Sequence, residues 1–223
     1  MIEVTEQSFT DMKEMQEFVE RIGKNVPKAT AMTLTFMGQA AKETTKIKMP
    51  GIFDRPTAWT VGSTYLTSAT ATTQEARVYI KDGSIDSLSH HVTGGQRLPK
   101  KFERRLRSAG ILGAYQYAVP SSRMKLNMYG NVSSATIKRI LDALITGSKS
   151  SDKIFYVKES TGGLPPGIFE RVGAGSNRDL LPMFLFVGKT TYRKRYDFFG
   201  ITEKAADAEM PKAMDRALET LLR

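Results

Sequence analysis

His90 and His91 are the only histidines in the chain, and there is no cysteine to accompany them. As a metal pair they fall short. Sequence neighbours point to opposite sides of a strand, or about 100° apart on a helix, so carboxylates would have to complete the ligand set. The pair reads instead as polar residues of a loop. Gly94-Gly95-Gln96-Arg97 lies just before a helical segment, and helix N-termini bind anions. It lacks the lysine and the spacing of a nucleotide-binding loop, so it reads as the turn into that helix. Tyr196 and Asp197 could act as acid, base or nucleophile only with a partner to pre-organise them, and the sequence supplies none. No catalytic residue, cofactor or metal site is expected.

The residue types that do cluster are cations. Arg97, Lys100, Lys101, Arg104, Arg105 and Arg107 face a single acid, Glu103. Leu98, Phe102 and Leu106 take the inner face of that helix, so the charges spread over the rest of its circumference. Six phosphates engaged there would give log affinity a slope of roughly −5 against log salt. The other reading is an exposed helix facing an acidic subunit. The absence of base-reading Asn or Gln pairs beside the arginines favours the subunit. A second run, Tyr192-Arg193-Lys194-Arg195-Tyr196, interleaves cations with aromatics as nucleic-acid patches do. It reads equally well as a solvated strand-to-helix connection.

The whole chain carries +10 over 223 residues, unevenly placed. Residues 1–24, with Glu14, Glu17 and Glu20 among their acids, carry −3, which leaves +13 for the remainder. Such an excess points to a polyanion or an acidic protein surface as neighbour, or simply to a soluble basic exterior. With 40% hydrophobic residues the chain can bury a core without staples, and lack of cysteine excludes a disulfide framework. The longest apolar run, Leu180 to Val187, is eight residues with a proline inside, far short of a bilayer span. The first residues show no signal-peptide pattern. Synthesis in a cytoplasm and no membrane partner are expected.

The elements that position these groups follow from periodicity. Residues 10–23 predict an amphipathic helix with Met12, Met15, Phe18, Val19 and Ile22 inward, stopped by Gly23. Pro27 starts a second helix toward Lys46, rich in small residues for close packing, and Met49-Pro50-Gly51 breaks it. A strand is expected from Trp59 to Leu66 and a clearer one at Ala76–Ile80, closed by an Asp82-Gly83 turn. Residues 84–150 read as a helical insertion, with helices at Leu98–Ala109 and from an N-cap at Ser133 to Gly147. Gly147–Ser151 reads as a flexible linker. Strands at 153–158, 167–172 and 182–187 predict an antiparallel meander, the last apolar on both faces and therefore central. A helix from Thr202 to Leu222 is expected to kink at Pro211, with Ala213, Met214, Ala217, Leu218 and Leu221 inward. The fold class is α+β: a mostly antiparallel sheet packed against long N- and C-terminal helices, with residues 1–83 and 151–223 as core and 84–150 as insertion.

Val26-Pro27-Lys28-Ala29-Thr30-Ala31-Met32 resembles the start of the long helix in the phage minor tail protein Z family. Leu181-Pro182-Met183-Phe184-Leu185-Phe186-Val187, followed by a basic turn and a long helix, is similar to that family's closing elements. Phe53–Thr57, Gly94–Arg97 with Lys101-Phe102-Glu103, and Leu164–Ile168 resemble a longer variant among tailed-phage and prophage proteins. The resemblance covers most of the chain in order, through no single specific motif, and the 84–150 stretch departs from the shorter members. It implies a non-enzymatic virion protein of the head–tail junction, a tail-completion or neck component. It also implies a homo-oligomeric ring, commonly of six or twelve copies, against adjacent connector, adaptor, terminator or tail proteins. In such a ring Arg97, Lys100, Lys101, Arg104, Arg105, Arg107, Arg193, Lys194 and Arg195 would contact a subunit or genome DNA. Glu14, Glu17 and Glu20 would supply the complementary acidic face. The alternative is a basic DNA-binding module of genome packaging or ejection.

Overall fold

The computed structural model describes residues 12–147, 153–173, 179–189 and 191–222. The expected linker from residue 148 to 151 and most of the 173–179 loop lie outside the described residues, as do the side chains of Met12, Phe18 and Leu221. The fold is α+β, and every strand pairing is antiparallel. The chain divides into two compact units. One holds residues 1–49, 61–81 and 197–223, and the other holds residues 50–60 and 82–196. The chain thus passes from unit to unit four times.

In the first unit, helix α1 (Met12–Ile52) is one continuous helix of 41 residues, about 60 Å at the α-helical rise. Neither Gly23 nor Pro27 interrupts it, contrary to the two helices expected from those residues. Its later half carries the core contacts. α2 (Ala58–Val61), of which residues 58–60 belong to the second unit, replaces the first part of the expected strand, and in the first unit β1 (Thr64–Thr67) pairs with β2 (Arg77–Ile80). A Cβ on Gly38 would sit 2.5 Å from a methyl of Leu66, so the small residues of α1 let the hairpin approach closely, as their spacing suggested. The buried Thr45 hydroxyl donates to that of Thr64 at 2.9 Å. The closing helix, designated α6 below, spans Phe198–Leu222 and runs through Pro211. Ala213 and Ala217 are fully buried, whereas Met214 is exposed rather than inward. The Arg216 guanidinium lies 4.7 Å from the Phe36 ring centre, tying the helix to α1.

The second unit corrects the expected insertion. Its elements are α3 (Asp82–Val92), β3 (Gly95–Gln96), α4 (Lys101–Ser108), β4 (Tyr117–Pro120), α5 (Ser134–Ile145), β5 (Ile154–Val157), β6 (Gly167–Val172), β7 (Asp179–Val187) and β8 (Thr191–Tyr192). Asp82-Gly83 opens α3 instead of closing a hairpin. A four-stranded sheet runs in the order β4-β7-β6-β5. β4 therefore comes from the 84–150 stretch and seals one edge of the meander, so that stretch and the later strands share one core. Leu106 of α4 and Ile140 of α5 join Ile154, Ile168, Met183 and Phe184 of the sheet in it. The short Tyr117–Pro120 segment gave little strand signal because proline ends it, and proline is confined to edge strands and bulges.

β7 is central, as its apolar faces required, and it carries Pro182 within it. The β6–β7 register slips between Ile168 and Phe169, where Phe169 faces Pro182. The irregularity accommodates a residue that cannot donate to the ladder. Ser133 caps α5 by accepting from the Thr136 amide at 3.1 Å, as read from the sequence. Arg139 of α5 forms a two-pronged pair with Glu170 of β6, at 2.5 and 3.0 Å.

Gly167 begins β6 where a Cβ would run into the Phe184 carbonyl oxygen. A backbone oxygen in a central strand cannot move aside cheaply. Gly167→Ala is expected to destabilise the protein by about 1–3 kcal/mol through overpacking, read as a lower urea midpoint. Gly188→Ala, where a Cβ meets open space, is expected to leave the midpoint within error.

Candidate functional site: a basic cavity in the second unit

The cationic segments at 97–104 and 192–195 are far apart in sequence. The β3–β8 pair brings them together, with Gly95 opposite Tyr192 and Gln96 opposite Thr191. Gly94 and Gly95 both hold φ values of the left-handed region, +77° and +91°. That conformation admits glycine most readily and turns the chain from α3 into β3. At the end of α3 the His91 carbonyl accepts from the Arg195 and Tyr196 amides, at 3.0 and 2.9 Å. A helix-terminal carbonyl that lacks an intrahelical donor thus anchors the second cationic run.

Glu103 fixes the other side. Its carboxylate is fully buried. Oε1 accepts from Arg97 and from the Ala118 amide, at 2.5 and 2.9 Å, and Oε2 accepts from Arg97 and from the Lys100 amide, at 2.7 and 2.8 Å. Burial alone would raise its pKa. The bonds from Arg97 and the two amides together outweigh that and hold the carboxyl below its ordinary range. Arg97, its side chain only 11% exposed, also lies 4.4 Å from the Tyr117 ring centre, and the Tyr117 hydroxyl donates to the Arg97 carbonyl at 2.9 Å.

These constraints frame a cavity of about 660 Å³. Arg97, Lys100, Lys101, Arg104 and Arg195 line it, and Asp86 is the one acid among the lining residues. His90, His91, Tyr192 and Trp59 complete its walls, with Thr57, Thr60 and Asn131. The histidines are therefore not loop residues. They occupy the last turn of α3, their ring centres 3.9 Å apart. Tyr192 stands edge-on to His90 at 4.7 Å and Phe53 to His91 at 5.3 Å. The Arg195 Nε donates to His91 Nδ1 at 3.1 Å. Burial first, then the charges of Arg97, Arg195 and Lys100, press the His90 pKa down. Burial, the neighbouring His90 and Arg195 lower His91 to about 4. Both rings are neutral at pH 7.

The remaining expected contacts go elsewhere. Arg107 turns to its own segment, donating to the Gln116 carbonyl at 2.7 Å and stacking near Tyr117. Arg105, Arg193 and Lys194 are exposed and outside the cavity lining. Tyr196 is buried against Phe53, and Asp197 lies outside this unit at the start of the closing helix. Glu14, Glu17 and Glu20 are exposed on α1 in the first unit. Among the described residues no group of three or more His, Asp or Glu is placed to hold a metal ion. The histidines, Trp59 and Asn131 were missed as parts of one site. The only sequence signal for them was an adjacent His pair a few residues before the cation cluster. No protein-family model, curated protein or solved structure matches the chain.

Acid should weaken this unit in two stages. His91 binds its proton less readily folded than unfolded, so stability falls as pH drops from 6.5 toward about 4. The Glu103 contribution is present above its ordinary value of 4.5 and is lost on further acidification. Melting temperature followed by circular dichroism is expected to fall across both windows, and His91→Gln to shrink the upper fall while keeping the lower. Glu103→Gln strands Arg97 beside a neutral partner, and its expected cost at pH 7 is about 3–5 kcal/mol.

Proposed function

We propose that this chain is a structural subunit of a tailed-phage head–tail junction, a neck or tail-completion protein that works by assembling with copies of itself and its neighbours. The family resemblance supplies the setting. The observation that carries the assembly reading is on α1. Met15, Val19, Ile22 and Val26 recur at spacings of four, three and four, the a/d pattern of a helix that packs on another helix. They are 47, 59, 41 and 53% exposed. Burying each such side chain is worth about 1.5–3 kcal/mol, so a stripe of four left in water favours a partner.

Charge supports a head-to-tail contact. Counted along the sequence, the second unit holds twenty Lys and Arg against nine Asp and Glu, a net of +11. The first unit holds thirteen against fourteen, a net of −1. Glu17 and Glu20 flank the apolar stripe, and the Glu20–Lys24 pair at 3.4 Å is largely exposed. A ring subunit needs two different complementary patches. An acid-edged apolar helix on one unit and a basic second unit on the next copy meet that need. The second reading, a DNA-binding module, is favoured by the same +11. In the junction reading those cations face the genome or an acidic neighbour.

Two substitutions test the contact. Val19→Asp with Ile22→Asp, both on exposed positions, is expected to shift the protein to monomer in light scattering and native mass spectrometry, with helix content unchanged. Glu14→Lys, Glu17→Lys and Glu20→Lys together are expected to act likewise. Assembly unaffected by either set removes the reading. For its place, the polypeptide is expected among the proteins of purified tailed particles from the strain that encodes it, identified by peptide mass spectrometry. Complete, infectious particles lacking it would overturn the role.

A further inference from the structure

The basic cavity has features that subunit assembly does not call for. It is a half-open concavity rather than a flat docking face. Four lysine and arginine side chains from two distant segments, Lys100, Lys101, Arg104 and Arg195, converge on it. Arg97 adds a fifth, already neutralised by Glu103. The opposing acid is slight: Asp86 reaches Arg104 only at 3.9 Å, both half in water.

A second, independent feature points to a ligand. His90 lines the cavity and is 6% exposed, and its Nδ1 has no hydrogen-bond partner among the described residues. A buried polar atom without a partner costs about 1–3 kcal/mol. An acceptor reaching that atom would relieve the cost. The wall also carries Trp59, exposed although aromatic, and Tyr192. Flat rings beside a cation cluster suit a ligand with both an anionic and a planar part.

We infer that this cavity is a phosphate-binding site, with Lys100, Lys101, Arg104 and Arg195 taking the phosphate oxygens, His90 donating from Nδ1, and Trp59 offering a stacking face to an attached base. The ligand is a phosphate group carried by a free nucleotide or by the end of a nucleic-acid strand. A phosphate is preferred to a carboxylate because several charge-assisted donors converge, and a phosphate presents more oxygens to them. Occupancy would also favour protonation of the histidines, since an anion offsets the neighbouring cations that, after burial, help to hold them neutral. The site stands or falls apart from the assembly reading, which rests on α1.

Trp59 is the only tryptophan of the chain, so its fluorescence reports directly on the cavity. The full-length protein is titrated with inorganic phosphate, a mononucleotide, a 5′-phosphorylated oligonucleotide and the same oligonucleotide without the phosphate. Expected is a saturable change with phosphate and the mononucleotide, the latter the tighter, weakened at least tenfold in Lys101→Gln/Arg104→Gln. The control Lys125→Gln/Lys138→Gln, on exposed positions of the same unit outside the lining, is expected to bind as the parent does. Tighter binding of the mononucleotide than of the phosphorylated strand assigns a free small ligand, and the reverse assigns a strand end. No saturable response to any phosphate compound overturns the proposal. So does oligonucleotide binding that ignores the terminal phosphate and weakens equally in both double variants, which marks a diffuse basic surface.

Discussion

A single buried carboxylate organises the second unit. Glu103 has no contact with water and accepts four hydrogen bonds, two from one guanidinium and two from backbone amides. Those donors belong to two pieces of chain, the segment just before α4 and edge strand β4, while the carboxylate itself stands in the first turn of α4. Removing a charge from water is costly unless its partners are complete. Here they are complete, so the arrangement tolerates little variation. The orientation of α4 against the sheet follows, and so does the side of α4 that presents its cations. Arg97 thereby contributes more to architecture than to the field in the cavity.

Around that anchor the chain sorts its charge. A surplus of eleven positive charges sits in one unit while the other is close to neutral. Burial first, and then the charge of neighbouring groups, depresses the pKa values of the two histidines, which is why they stay uncharged near neutrality. The positive surplus gives the unit a strong attraction for anions and makes its interactions sensitive to ionic strength. The first unit invests differently. Its longest element leaves an apolar stripe in solvent along one half and uses small residues for intimate packing along the other. Electrostatics is the resource of one unit and surface hydrophobicity that of the other.

Much of the architecture could be read from residue order. The α+β class, the meander, the central place of β7, the Ser133 cap and the close-packing role of Gly38 and its neighbours all follow from local chemistry. What failed did so for reasons that differ from place to place. Gly23 and Pro27 are ordinary stop and start residues, yet the helix passes through both. Asp82-Gly83 is strong turn chemistry, but aspartate also suits a helix beginning, and α3 begins there. β4 was missed because four residues ending in proline carry too little pattern. The cation clusters were visible as composition. That they share one cavity was not, because the two-residue β3–β8 pairing that unites them has no detectable signature. The histidines looked like a solvated loop because their burial is supplied by Phe53 and Tyr192, distant residues.

The four passages of the chain between units have a consequence for biosynthesis. The second unit is built almost wholly from one uninterrupted stretch, residues 82–196. The first needs three separate stretches, the last of them the closing helix, α6. Emerging from a ribosome, the earlier stretches of the first unit would wait through more than a hundred residues of translation before their final partner arrives. During that interval the second unit can mature. The Phe36 ring of α1, which the Arg216 guanidinium of α6 will meet, then still awaits its partner, and the order in which the stretches arrive is set by connectivity.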